Sequence, residues 1–145
     1  MLGLVMLAPA TNDTSSALTA NAVQGRGASP ASAVDHVADF YGAYTDALHD
    51  VGHGQLTDAL RRHYLTAQLR QTLTRWEAAH HQDGVLRAKG VPTRWSVEYN
   101  DSGMGHCWTR VTLSWNGSGK QSHTTHLTIQ SDLATRLVSG IRVDA

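Results

Sequence analysis

The stretch that decides the fold is CWTRVTLSWNGSGKQSHTTHLTI, running from Cys107 to Ile129. Cys107, Thr109, Val111, Leu113 and Trp115 alternate with Trp108, Arg110, Thr112 and Ser114. Side chains of a strand point alternately to opposite faces, so this spacing predicts one apolar face and one polar face. Asn116-Gly117-Ser118-Gly119 carries a hairpin signal, after which Thr125, Leu127 and Ile129 resume the alternation against His126, Thr128 and Gln130. Working outward, Trp95, Val97 and Tyr99 predict a preceding strand that ends in the turn Asn100-Asp101-Ser102-Gly103. Leu137, Ile141 and Val143 predict a final strand after Ser131-Asp132.

Upstream the rhythm changes. From Val34 to His81 apolar residues recur at helical spacing. Ser32 reads as the N-cap of a first helix, with Asp35 three residues on, and Val34, Val37, Ala38, Tyr41, Tyr44 and Leu48 form its stripe. Gly52-His53-Gly54 ends it. A short second helix from about Gln55 to His63 presents Leu56, Leu60 and Tyr64, and Thr66 caps a third with the stripe Leu69, Leu73, Trp76 and His80. Asp83-Gly84 closes that helix. Helices followed by antiparallel strands make an α+β class: about three N-terminal helices packed on one face of a four-stranded antiparallel sheet.

With 145 residues, 41% of them hydrophobic and 17% charged, the chain has material for one domain with a real core. Twelve basic and twelve acidic side chains cancel, so the overall basic field of a nucleic-acid binder is missing and no nucleic-acid partner is expected. Cys107 is the single cysteine, which excludes an intrachain disulfide and a multi-cysteine metal site; it reads as a small buried residue. Residues 1–22 read as a partial export signal: Leu2 to Ala8 is an apolar run that stops at Pro9, and Ala20-Asn21-Ala22 has the small-x-small form of a cleavage site. The run is too short to span a bilayer, so no transmembrane span is expected. Residues 23–32 read as a flexible leader and 33–145 as the folded domain, secreted or held in the cell envelope.

The opening helices, Phe40-Tyr41-Gly42-Ala43-Tyr44 and His63-Tyr64-Leu65-Thr66-x-x-Leu69, together with the order of elements, resemble the nuclear-transport-factor-two-like (cystatin-like cone) superfamily, in particular small exported bacterial proteins of unknown function. The resemblance covers about residues 33–145. It implies that the four-stranded sheet is curved and cone-like, with a pocket between sheet and helices and a possible homodimer through the sheet. It transfers no activity, because that fold hosts isomerases, dehydratases and plain binding modules. Enzymes of that fold carry an Asp or His inside the cone, whereas the inner stripes predicted here hold no carboxylate.

The chemistry-bearing residues point the same way. Nine histidines invite a metal reading, yet His49 and His53 straddle the end of a helix and His123 and His126 face opposite sides of a strand. No metal and no cofactor is therefore expected. No nucleophile elbow or phosphate-binding glycine loop is present, and no catalytic residue is assigned. Tyr44, Trp76, Trp95, Tyr99, Trp115 and His123 fall on inner faces and are the candidate lining of an apolar ligand pocket. Trp108 and Arg110 fall on the outer sheet face and are the candidate interaction surface. The expected function is an exported, non-catalytic binding domain that takes a small apolar molecule in the cone or a protein partner on the outer face. The alternatives are a small acid/base enzyme of isomerase or hydrolase type using His123 or His80, and a structural domain of the cell envelope.

Overall fold

In the computed structural model, residues 29–117 and 121–144 are described. The predicted export run and its cleavage site lie outside the described residues, as do positions 118–120 of the predicted hairpin. Three helices precede four strands: α1 (Pro30–Val51), α2 (Gln55–Tyr64), α3 (Ala67–His80), β1 (Arg94–Gly103), β2 (His106–Asn116), β3 (Ser122–Asp132) and β4 (Val138–Val143). The strands form one open antiparallel sheet in the order β1-β2-β3-β4. No helix among the described residues is long and apolar enough to cross a membrane.

α1 starts earlier than its apolar stripe indicates. Its N-cap is Ser29, whose hydroxyl accepts from the Ser32 backbone N–H, and Pro30 occupies the first helical turn. Proline suits that position because its φ is already helical and its missing N–H would have had no partner there. Ser32, the expected cap, is instead buried inside the first turn, where its hydroxyl accepts from Arg136. α3 begins as expected at Thr66, whose hydroxyl accepts from the Leu69 N–H.

The apolar face of α1 lies across β1, β2 and β3. Phe40, Tyr41 and Tyr44 are fully buried, and Phe40 touches the rings of Tyr41, Tyr44 and Tyr64 at centroid separations of 5.2–5.3 Å. Opposite them stand Val111 and Leu113 of β2 and Leu127 and Ile129 of β3, all completely buried and paired Val111↔Leu127 across the ladder. Each such side chain contributes about 1.5–3 kcal/mol on removal from water. Val85 and Leu86, from the segment after α3, complete the core and are also fully buried. On β1 the inner face is thinner. Trp95 reaches α1 because Gly42 leaves room for its ring, where a Cβ would sit 2.9 Å from the indole, and Tyr99 is half exposed.

Two bulges adjust the sheet. One lies between Tyr99 and Asp101 of β1, the other between Gln130 and Ser131 opposite β4. A bulge shifts the side-chain alternation by one residue. In the last strand the shift makes Val138 the fully buried residue, in place of the expected Leu137, alongside Ile141. Val138 also pairs with Leu65, and its carbonyl accepts from the Thr66 N–H, which fastens the α2–α3 junction to the end of the sheet. Leu56, predicted to face the core from α2, is about half exposed.

Phe40→Ala should therefore cost about 3–5 kcal/mol, as buried Phe truncations do, measured from the urea midpoint. His36 gives a pH dependence. It is half-buried on α1 with its ring 4.6 Å from that of Tyr64, and burial, then Arg136 and His63, hold its pKa below the ordinary value against the pull of Asp39. As pH falls below about 6.5 the unfolded chain takes up a proton that the folded chain refuses, so stability falls on acidification. His36→Gln should show a smaller loss between neutral and mildly acidic pH in the same urea titration.

Candidate functional site

The largest concentration of paired charge sits where α1, the α1–α2 link, α2, α3 and the segment after α3 converge. Its centre is Asp83, whose side chain is only 1% exposed. One carboxylate oxygen, Oδ1, accepts from the backbone N–H groups of Val85 and Leu86, which fixes a tight turn. The other, Oδ2, accepts from the Tyr44 hydroxyl at 2.5 Å and from His53 Nε2 at 2.7 Å. A carboxylate can only accept, so the His53 proton toward it is on Nε2 and Nδ1 is left for other contacts. Arg61 Nη2 lies 3.5 Å from the same oxygen.

Arg61 is itself clamped. Its guanidinium donates to both oxygens of Glu77, at 3.0 and 2.6 Å, and to the Tyr44 oxygen at 2.8 and 3.2 Å. Glu77 also accepts from the Gly84 N–H at 2.7 Å. Gly84 leaves room for this approach, since a Cβ would fall 2.9 Å from the Leu73 side chain and 3.3 Å from Glu77 and would force those side chains to shift. The Tyr44 hydroxyl thus donates to a carboxylate and accepts from a guanidinium. Burial, and then the Asp83 charge, push its pKa well up despite Arg61. Burial opposes the charge on Arg61, but its bonds to Glu77 and Tyr44 outweigh this and its pKa is raised. Around the turn, His81 and Arg87 both adopt left-handed backbone, unusual for side-chain-bearing residues and a sign that the local structure dictates their conformation.

This network opens on one side into a cleft of about 480 Å³. His53, Asp58 and Lys89 line it with Arg61, Glu77 and Asp83. His53, from the Gly52-His53-Gly54 link, is 59% exposed while its partner Asp83 is buried. The lining is polar and carries both signs of charge, so the cleft suits hydrogen-bonding and ionic contacts. Among the described residues no group of three or more His, Cys, Asp or Glu side chains is arranged to hold a metal ion.

The six residues expected to line an apolar pocket are spread over the fold, and none of them lines the cleft above Asp83. Tyr44 is a buried wall of the Asp83 network. Trp76 is half-buried on α3, stacked on His80 at 4.1 Å with the Arg87 guanidinium 4.4 Å from its ring. Trp95 packs on Gly42, and Tyr99 donates to or accepts from Ser102 at the exposed end of β1. Trp115 and His123 are cross-strand partners with near-parallel rings 6.2 Å apart; Trp115 Nε1 donates to Thr125 and His123 is exposed. His80, the other acid/base candidate, is exposed and bonds its own helix at the Trp76 carbonyl. Trp108 and Arg110 lie on the outer face. Trp108 is half-buried with its ring 5.9 Å from that of His106, and Arg110 reaches Asp144 at 3.5 Å.

The expected lack of an inward carboxylate is corrected by Asp83. It is buried against α1, but it arrives from a turn and so escaped a search of helix and strand stripes. Arg61, Glu77 and His53 were likewise missed as a group. The only local signal was Asp83-Gly84 itself, a pair that serves turns generally.

The fold and site together define an α+β domain with helices on one face of an open sheet and a charged cleft at the helical side. A protein of unknown function from Bacteroides thetaiotaomicron VPI-5482 is similar in structure, with a TM-score of 0.57 and 16% sequence identity over 87% of this chain and 97% of that one. At that identity the likeness is one of fold alone. No protein-family model and no curated protein matches the chain.

Asp83→Ala should remove four hydrogen bonds at one stroke and cost roughly 3–5 kcal/mol, in line with breaking a buried ionic network, measured by denaturant unfolding. Tyr41 and Tyr44 should resist ionisation. Burial raises the pKa of both, with the Asp83 charge adding to it. Stability is then complete below the ordinary tyrosine value of about 10 and falls as pH rises above it, because the unfolded chain releases protons that the fold retains. An ultraviolet titration of the native protein should show Tyr41 and Tyr44 silent until the chain unfolds.

Proposed function

We propose that the chain is a ligand-binding domain and that its ligand is small and polar, seated in the cleft above Asp83. The observation that carries this is the pairing of a buried carboxylate with a largely exposed histidine. Placing Asp83, Arg61 and Glu77 out of full contact with water is costly, and apolar residues of similar size would often stabilise a core as well or better. The network fixes the elements around it, and the part of it that faces the cleft is suited to recognition as well, since a few fixed polar groups set ligand orientation and specificity. The ligand is read as polar rather than apolar because Phe40, Tyr41 and Tyr44 fill the space between α1 and the sheet.

The same reading takes the chain as an exported member of the nuclear-transport-factor-two-like superfamily. What supports it is the order of three helices before a four-stranded antiparallel sheet and the small-x-small segment Ala20-Asn21-Ala22. A second reading, docking of a protein partner on the outer sheet face, is favoured by one specific observation. The helices all lie on the other face, and the outer one presents Trp108 beside Arg110 with no element of the described chain over it.

Native mass spectrometry of the full chain purified from its own host tests both. Extra mass that leaves on denaturation, and that is reduced in His53→Ala, is the outcome expected for the cleft. A mass equal to the bare chain in both proteins would sink it, and an integer multiple of the chain mass that Trp108→Ala abolishes would favour the outer face.

A further inference from the structure

On the far side of Arg61 the groove between α2 and α3 changes character. Arg70, Thr74 and Glu77 follow at i, i+4 and i+7 on α3, one face of the helix, and Asp58, Arg61 and Arg62 oppose them from α2. At the level of Glu77 the charges cancel through the Arg61 fork. At the level of Arg70 they do not. Arg62 and Arg70 have no carboxylate within 4.0 Å among the described residues, and Arg70 Nε is shielded from water without a hydrogen-bond partner. Arg61, Arg62, Arg70, Asp58 and Thr74 surround a cleft of about 190 Å³.

Helix electrostatics explains part of this cluster only. Arg61 and Arg62 sit in the last turn of α2, where a cation favours the dipole. Arg70 is at the opposite kind of end, four residues into α3, where a cation is disfavoured. Its position toward two further guanidiniums therefore costs stability on two counts, and among the residues that line the cleft Asp58 is the one acid set against three guanidiniums.

We propose that this groove is an oxyanion site that takes a phosphate-type group. A guanidinium donates in a planar fork to two oxygens, and a tetrahedral anion has enough oxygens to accept from Arg62 and Arg70 together. Thr74 is not a donor here, because its hydroxyl already donates to the Arg70 carbonyl at 3.0 Å. Asp58 is the one acid in the cleft, and with Arg61 it also borders the cleft above Asp83. The oxyanion site goes beyond the function proposed above and does not require that second cleft to be occupied.

The test is calorimetric titration of the full chain with inorganic phosphate and, in parallel, with phosphoserine, at ionic strength held constant with chloride. Saturable binding is expected, with Arg70→Gln and Arg62→Gln each weakening it about tenfold or more, the usual effect of losing a charge-assisted hydrogen bond. Arg75→Gln, an exposed charge outside the cleft, should stay within about twofold. Tighter binding of phosphoserine points to an organic phosphate monoester, and equal binding to free phosphate; either supports the site. Heat matched by chloride alone, undiminished affinity in both Arg62→Gln and Arg70→Gln, or an equal loss in Arg75→Gln overturns it. Each variant's unfolding midpoint without phosphate verifies that it is folded, and exposed Arg62 keeps the test available if Arg70→Gln is not.

Discussion

A carboxylate removed from water has to recover its hydrogen bonds from the protein, and Asp83 recovers them from several elements at once. Tyr44 brings α1, His53 brings the link between α1 and α2, and the Val85 and Leu86 amides bring the turn after α3. Arg61 and Glu77 lock α2 to α3 around the same point. The helices touch one another sparingly through apolar side chains, since α2 buries little and Leu56 is exposed. Their relative placement therefore rests on this polar hub more than on a shared hydrophobic seam. Such a network is specific in a way that apolar packing is not: its members are satisfied in one geometry, and displacing one strands the others.

Tyr44 joins the hub to the core. Its ring packs against Phe40 within the layer that covers the sheet, while its hydroxyl stands between Asp83 and Arg61. Tyr41 repeats the device one turn earlier, with its ring in the core and its hydroxyl donating to the Val85 carbonyl at 2.9 Å. A single stripe of α1 thus serves both faces of the architecture. Large aromatics with a polar tip suit such a boundary, because they fill apolar volume and still offer a directional bond.

The class of fold was legible because its signals are periodic. The alternation around Trp115 and the stripe of α1 each repeat over many residues, and both survive one or two misplaced positions. Boundaries were less legible. Pro30 marks the start of α1, but the apolar stripe begins later and drew attention to Ser32. Val138 replaced Leu137 because a bulge moves the alternation by one residue, and a bulge leaves no mark in composition. The charged hub was the least legible part. Tyr44, His53, Arg61, Glu77 and Asp83 come from separate elements with no common period, so only the fold brings them together. Arg70 lies off the apolar stripe of α3, and its isolation beside Arg62 depends on where α2 lies.

The segment that leads into the last strand holds the start of the first helix. Arg136, just before β4, donates to Ser32 at the start of α1, 104 residues earlier, and Val138 fastens the α2–α3 junction. Contacts of such long sequence separation are slow to form, because a large loop must close before any of them rewards the chain. During synthesis the helices emerge first, and the apolar stripe of α1 gains its partners as β1, β2 and β3 follow. The bonds that fasten the start of α1 and the α2–α3 junction are the last to become available as the chain is made, so they close a core that the first three strands have already begun.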